Sequence, residues 1–277
     1  MYSGFNLSFS KEFFCMINDN PLDSYKYYYK KGIQLSNNIT SKEMESLANT
    51  ILNPDNEYLD ADSILTAWFP QLEADIFLSH SHDDSEFAIA LAGWLTEELG
   101  LRVFIDSNVW NNINDLLWYI NKKFSDRTLY KSGYAYNYEK CNKASQHANI
   151  MLLTALQHMI DNVESFFILN TNHSIQQNNT LSFTNSPWIF AEINCANTIK
   201  RKSLDKYRLG MISEGFPLQY YISGERKPLA IKYNIDLNKL ISINDSHLLS
   251  WMNEYSYSNP KPENALDCLY KIVSKEG

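Results

Sequence analysis

The residues best suited to chemistry fall in four short stretches. The first is Ser79-His80-Ser81-His82-Asp83-Asp84, a cluster of hydroxyls, imidazoles and carboxylates at the end of the apolar run Asp75–Ser79. Asp106 and Ser107 follow a second apolar run, Leu101–Ile105, and Asn170-Thr171 follow a third, Ser165–Leu169. The fourth is Trp188 and Glu192, just after Ser186-Pro187. A separation of four places both on one helix face. An aromatic plane beside a carboxylate suits a flat cationic ring, and a carboxylate at the edge of an apolar stripe is placed to stabilise a developing cation. The spacing His80-x-His82-x-Asp84 offers different chemistry: two imidazoles and a carboxylate that converge on a metal ion and generate hydroxide. Plainer duties compete. Asp83 reads as a helix cap, Asp106 as a turn former, His80 as a polar rim residue and Trp188 as core.

Three apolar runs alternating with helical periodicity must carry these groups. Short continuous runs mark strands buried on both faces of a parallel sheet. Phe87, Leu91, Leu95 and Leu99 recur every fourth residue between the first two runs, and Gly100 stands where a left-handed C-terminal residue is needed. Pro228–Ile235 reads as a fourth strand. Ile113–Phe124, Ser145–Asn162, Ser186 onward, Ser246–Tyr255 and Pro262–Lys275 read as helices, and Ser186-Pro187 supplies an N-cap and an N1 proline. Tyr130–Tyr138 reads as an excursion and Gln176–Thr184 as a polar loop. Residues 1–70 read as a separate helical segment, with a capping box at Thr40–Glu43, a turn at Asn53–Asn56 and a short helix over Asp60–Trp68. The expected architecture is an α/β sheet with helices on both faces. In such sheets the ligand crevice lies beyond the carboxyl ends of the strands, where the polar clusters above are found.

Composition narrows the classes of function. The chain has 277 residues with 24 Lys and Arg against 32 Asp and Glu, a net charge of −8. That balance argues against a nucleic-acid or anionic-membrane surface. No apolar run reaches the length of a spanning helix, and the start lacks the pattern of a secretory leader. The four cysteines, Cys15, Cys141, Cys195 and Cys268, are scattered without C-x-x-C spacing, which predicts reduced thiols and a cytoplasmic location. No G-x-G-x-x-G or P-loop pattern occurs.

Three blocks in order resemble the Toll/interleukin-1 receptor (TIR) domain family: Asp75-Ile-Phe-Leu-Ser-His80 followed by Asp83 or Asp84, Val103-Phe-Ile-Asp-Ser107, and Ser186-Pro-Trp-Ile-Phe-Ala-Glu192. The resemblance covers about two-thirds of the chain and implies a flavodoxin-like TIR domain over 71–277, behind the helical extension 1–70, with insertions near 125–145 and 174–184. In NAD-cleaving members the matching glutamate is catalytic. The resemblance therefore implies that Glu192 promotes cleavage of the nicotinamide–ribose bond of NAD+, with Phe77, Ser79, His80, Asp106, Ser107 and Trp188 contacting the substrate. NAD+ is then a substrate and no further cofactor or metal is implied. Prokaryotic relatives act in antiphage defence, by NAD+ depletion or by making a nucleotide signal, either ADP-ribose or a cyclised or modified form. The implied partners are further copies of the chain and an upstream trigger or downstream effector, with the Ser107–Asn112 segment gating the cleft and the N-terminal helices as its expected cover. Two alternatives stand beside this. One is a TIR-type adaptor that only assembles. The other is a zinc-dependent hydrolase using His80, His82 and Asp84, similar to the H-x-H-x-D motif of metallo-β-lactamase-fold enzymes, with His147, His158 and His173 left to complete the ligand set.

Overall fold

The computed structural model describes residues 1–17, 21–35, 48–49, 59–105, 113–130, 133–178, 181–208, 232–258 and 260–275. Its strands are β1 (Ser3–Ser8), β2 (Ile76–Ser79), β3 (Val103–Phe104), β4 (Arg127–Tyr130), β5 (Gly133–Tyr136), β6 (Ser165–Leu169), β7 (Gln176–Asn178), β8 (Leu181–Thr184), β9 (Tyr233–Asn234) and β10 (Ile241–Asn244). Its helices are α1 (Phe13–Met16), α2 (Pro21–Ile33), α3 (Ala61–Trp68), α4 (Ser85–Leu99), α5 (Ile113–Phe124), α6 (Tyr138–Asn162), α7 (Pro187–Thr198), α8 (Leu204–Arg208), α9 (Asp245–Tyr257) and α10 (Pro262–Ser274). Five strands form one all-parallel sheet in the order β3-β2-β6-β1-β10, flanked by helices and flavodoxin-like in topology. The run β3-β2-β6 repeats the 2-1-3 arrangement that opens that fold's 2-1-3-4-5 order, and the N-terminal strand β1 fills the fourth place, ahead of β10.

The strand at the N-terminus corrects the reading of residues 1–70 as a helical segment apart. Ser3 pairs with Ser165 on one side of β1 and Ser8 with Asn244 on the other, so the first residues lie inside the sheet. A second correction concerns the fourth strand. Of Pro228–Ile235, only the last residues are described. There β9 joins β7 and β8 in a small antiparallel sheet, while the parallel position is taken by β10. The presumed loop at Gln176–Thr184 is thus two strands of that small sheet. The Tyr130–Tyr138 excursion is largely the β4–β5 hairpin, Arg127 paired with Tyr136. The capping box at Thr40–Glu43 and the turn at Asn53–Asn56 lie outside the described residues.

Side chains of the parallel strands alternate between two cores. Phe5, Leu7, Ile76, Leu78, Phe167, Leu169 and Ile243 face α1, α2, α4, α9 and α10. Phe77, Phe104, Phe166 and Ile168 face α3, α5, α6 and α7. Helix α4 is apolar all round and its residues Phe87–Leu95 are buried, as expected of a helix covered on both sides. The sheet covers one side and α2 the other. The two helices cross at glycines. A Cβ on Gly93 would lie 1.9 Å from the Tyr28 carbonyl oxygen, and one on Gly32 would lie 2.0 Å from that of Ile89. Gly100 ends α4 at φ 65°, the left-handed conformation read from the sequence.

Candidate functional site at the switch point of the sheet

The chain leaves β2 toward β3 through α4 on one face. It leaves β6 in the opposite direction through α7 on the other face. The boundary between β2 and β6 is therefore the topological switch point, where open α/β sheets hold ligands. Among the described residues, two polar links span it.

The first joins Ser79 and Glu192. Ser79 is the last residue of β2 and pairs with Ile168 of β6. Glu192 lies in the second turn of α7, whose start is set by Pro187 at N1 and by Ser186, whose hydroxyl accepts from the Ile189 amide at 3.3 Å. Ile189, Ile193 and Ala196 anchor the helix in the core and turn Glu192 inward. The Ser79 hydroxyl donates to Glu192 Oε2. Both residues are buried, Glu192 at 3% exposure. A carboxylate held this far from bulk water acts on a nearby cation through a low effective dielectric. Cys195, less than a turn further on, feels the same surroundings: burial, and then the Glu192 charge, push its thiol up to about 11. Cys195 is accordingly a neutral packing residue at physiological pH.

The second link joins the turn after β2 to the loop after β6. His82–Asp84 form a short 3-10 turn leading into α4. Asp84 occupies the N-cap position of α4 but makes no side-chain cap hydrogen bond, and Asp83, expected to cap, is exposed. The buried Asp84 carboxylate instead accepts from Thr171 Oγ1 through Oδ2, and its Oδ1 lies 2.9 Å from His173 Nδ1. The Asp84 hydrogen bond and charge, with a smaller contribution from Asp83, hold His173 above the ordinary imidazole value. Thr171 Oγ1 also accepts from the backbone amides of His173 at 3.1 Å and Ser174 at 3.2 Å. The Ser174 hydroxyl closes the loop by donating to the Leu169 carbonyl at 2.7 Å. Further along the same rim, Asn170 donates to Asn6 at 2.9 Å, and the Ser10 hydroxyl donates to Asp245 at 2.7 Å.

Of the residues singled out in the sequence, the structure joins Ser79 to Glu192, and His80, the residue after Ser79, is half-buried. Phe77 is completely buried, its ring centroid 5.3 Å from that of Phe104 and 5.8 Å from that of Phe166, so it underpins the rim without reaching it. Trp188 is half-buried against the α7-side core. Phe190, rather than Trp188, makes the aromatic stack of this helix, on Tyr233 with centroids 4.8 Å apart. Asp106, Ser107 and the expected gate up to Asn112 lie outside the described residues. The H-x-H-x-D reading does not assemble: His82 is exposed while Asp84 faces His173, and among the described residues no three His, Cys, Asp or Glu side chains are grouped to hold a metal ion. Sequence reasoning missed the Asp84–Thr171–His173 link. Its only signal was that Thr171 follows a buried strand, as Asp84 follows another.

One pocket among the described residues, of about 580 Å³, opens at the opposite, amino-terminal ends of the strands, lined by Tyr2, Leu204, Asp267 and Tyr270 among others. Tyr2 precedes β1, and the Tyr270 hydroxyl lies 2.8 Å from that of Ser165 at the start of β6. The pocket is therefore remote from the switch point. No described helix is long and apolar enough to cross a membrane. Comparison of the chain with protein-family models, with curated proteins and with solved structures gives no match.

Proposed function

We infer that the chain is a TIR-type NAD+ nucleosidase that cleaves the nicotinamide–ribose bond with Glu192 as the catalytic carboxylate. The observation that carries this reading is the buried Ser79–Glu192 hydrogen bond across the switch point. It joins the two sequence blocks whose resemblance to the family is most specific, and they are separated by 113 positions in the chain. Cleavage passes through an oxocarbenium-like ribose. A fixed carboxylate in a water-poor crevice stabilises that charge without reorganising. The Ser79 hydroxyl fixes the carboxylate's direction.

With Glu192 at 3% exposure, the crevice is closed over the carboxylate, and the substrate enters only after the rim opens. A closed resting state suits an enzyme whose unchecked activity would drain the cell of NAD+. Self-association is the proposed opening event, and an activity that rises more than linearly with protein concentration is its signature. Prokaryotic antiphage defence is the proposed setting.

The test is Glu192→Gln in the purified chain, with nicotinamide release followed by chromatography. Loss of the charge is expected to lower the rate by about 100- to 1000-fold, with an unchanged circular dichroism spectrum. A Gln variant as active as the wild type overturns the assignment. Mass spectrometry of the wild-type products distinguishes ADP-ribose from a cyclised derivative. An assembling module without activity releases no nicotinamide at any concentration.

A further inference from the structure

The link between Asp84, Thr171 and His173 is built as a proton-handling device rather than as a tie between loops. A tie needs only one hydrogen bond, which the Thr171 hydroxyl already gives to Asp84. The imidazole adds a second, and does so in a fixed pose. Its Nδ1 is held 2.9 Å from a carboxylate whose side chain is only 9% exposed, while the ring itself is 57% exposed. Its backbone is fixed as well, because Thr171 Oγ1 accepts the amide of His173 while donating to Asp84. Among the described residues Nε2 has no protein partner. A buried carboxylate on Nδ1 sets the tautomer that leaves Nε2 as the acceptor, and stabilises the imidazolium once a proton arrives. Both ends of the device sit where β2 and β6 deliver their carboxyl-terminal residues, the same boundary that Ser79 and Glu192 span.

We propose that His173, positioned by Asp84 and Thr171, accepts the proton of the water that attacks the ribose in this crevice. The proposal rests on the NAD+ nucleosidase reading and adds the second half of that reaction. The N-glycosidic bond breaks and its electron pair goes to the nicotinamide nitrogen, which leaves as neutral nicotinamide. The water oxygen bonds to the ribose carbon and its proton passes to His173 Nε2, then to solvent. Glu192 carries the charge and His173 carries the proton. Asp84 and Thr171 are positioning residues. Asp83 and Asp84, both from the turn after β2, are the charged groups that act on the ring.

The experiment measures NAD+ cleavage by the full chain from acid to alkaline pH, for the wild type, His173→Ala, Asp84→Asn and Glu192→Gln. The wild-type rate is expected to fall on the acid side as His173 takes up a proton. His173→Ala should lower kcat by about 100-fold or more and abolish that acid limb, with KM little changed, and added imidazole should restore part of the rate. Asp84→Asn should move the limb to lower pH. A His173→Ala protein that keeps the wild-type rate and acid limb overturns the proposal, and does so whatever Glu192→Gln shows. A protein that loses melting temperature but no kcat shows a structural tie and overturns it too. If Glu192→Gln is fully active while His173→Ala is not, the carboxylate assignment fails and the proton acceptor stands. A wild-type chain that releases no nicotinamide removes both.

Discussion

Asp84 stands at a helix entrance and caps nothing, and this one displacement reorganises the rim. An aspartate at that position ordinarily accepts amides of the first turn. Here both carboxylate oxygens are taken by the loop after β6. The pairing predicts a measurable titration. His173 should titrate above the ordinary value of 6.5 in a histidine-resolved NMR experiment, and Asp84→Asn should return it toward that value. The linkage has a definite sign. A raised folded-state value makes the pair's stabilisation complete below the unfolded value and lost as pH rises through the folded one. Denaturant unfolding should therefore show wild type and Asp84→Asn converging toward alkaline pH. Ser79 gives a second prediction at this scale. Removing its hydroxyl by Ser79→Ala takes a donor from a buried carboxylate, at a cost of about 1–3 kcal/mol, which should appear as a lower urea midpoint at unchanged m-value.

Among the elements, the α2–α4 crossing is the tightest contact, and its glycines make it testable. Gly93→Ala in an open helix would stabilise by roughly 1 kcal/mol. Here the new methyl meets the Tyr28 carbonyl at 1.9 Å, and the backbones must separate. The expected outcome is a net loss of about 1–3 kcal/mol in urea unfolding, and a stabilised variant would show that the helices part freely. The elements that were legible in sequence share a physical cause. Strands β2 and β6 are buried on both faces and read as unbroken apolar runs. Ser186-Pro187 opens α7 because capping is local chemistry. Strand β1 reads Ser3-Gly-Phe-Asn-Leu-Ser8, and its buried glycine and serine stand where a pattern search expects aliphatic residues. A Cβ on Gly4 would come within 2.7 Å of the end of the Leu240 side chain. Strand β10 buries only Ile243, so no run marks it. The same limit applied to the site. Glu192 was legible through its motif and Ser79 through its strand end. The Asp84–His173 pair was not, because its partners are 89 positions apart and meet only through the sheet register.

For the molecule as a whole, the position of β1 means that the region resembling a TIR domain does not stand alone. A fragment covering residues 72–277 would lack the strand between β6 and β10, and would leave the α4 face that α2 covers open to water. We expect that fragment to be unfolded or aggregated, with a disordered far-UV spectrum and collapsed amide dispersion, where the full chain gives both a folded spectrum and a cooperative transition. A well-dispersed fragment spectrum would show that the sheet closes without its fourth strand. The residues of β1 and α2 are then an integral layer of the core.

That same strand sets a clock on the ribosome. Ser8 leaves the ribosome well before its sheet partner Asn244, which emerges 236 positions later. At bacterial-to-eukaryotic elongation speeds of about 5–20 residues per second, that interval is roughly 12–47 s. Through that interval β1 has nothing on one flank, and until β6 emerges it has nothing on either. The five-stranded sheet around the β2–β6 boundary is therefore complete only once β10 is out. A product stopped between α7 and β10 would carry Glu192 without the finished sheet. For a protein proposed to destroy its host's dinucleotide pool, competence waits for β10.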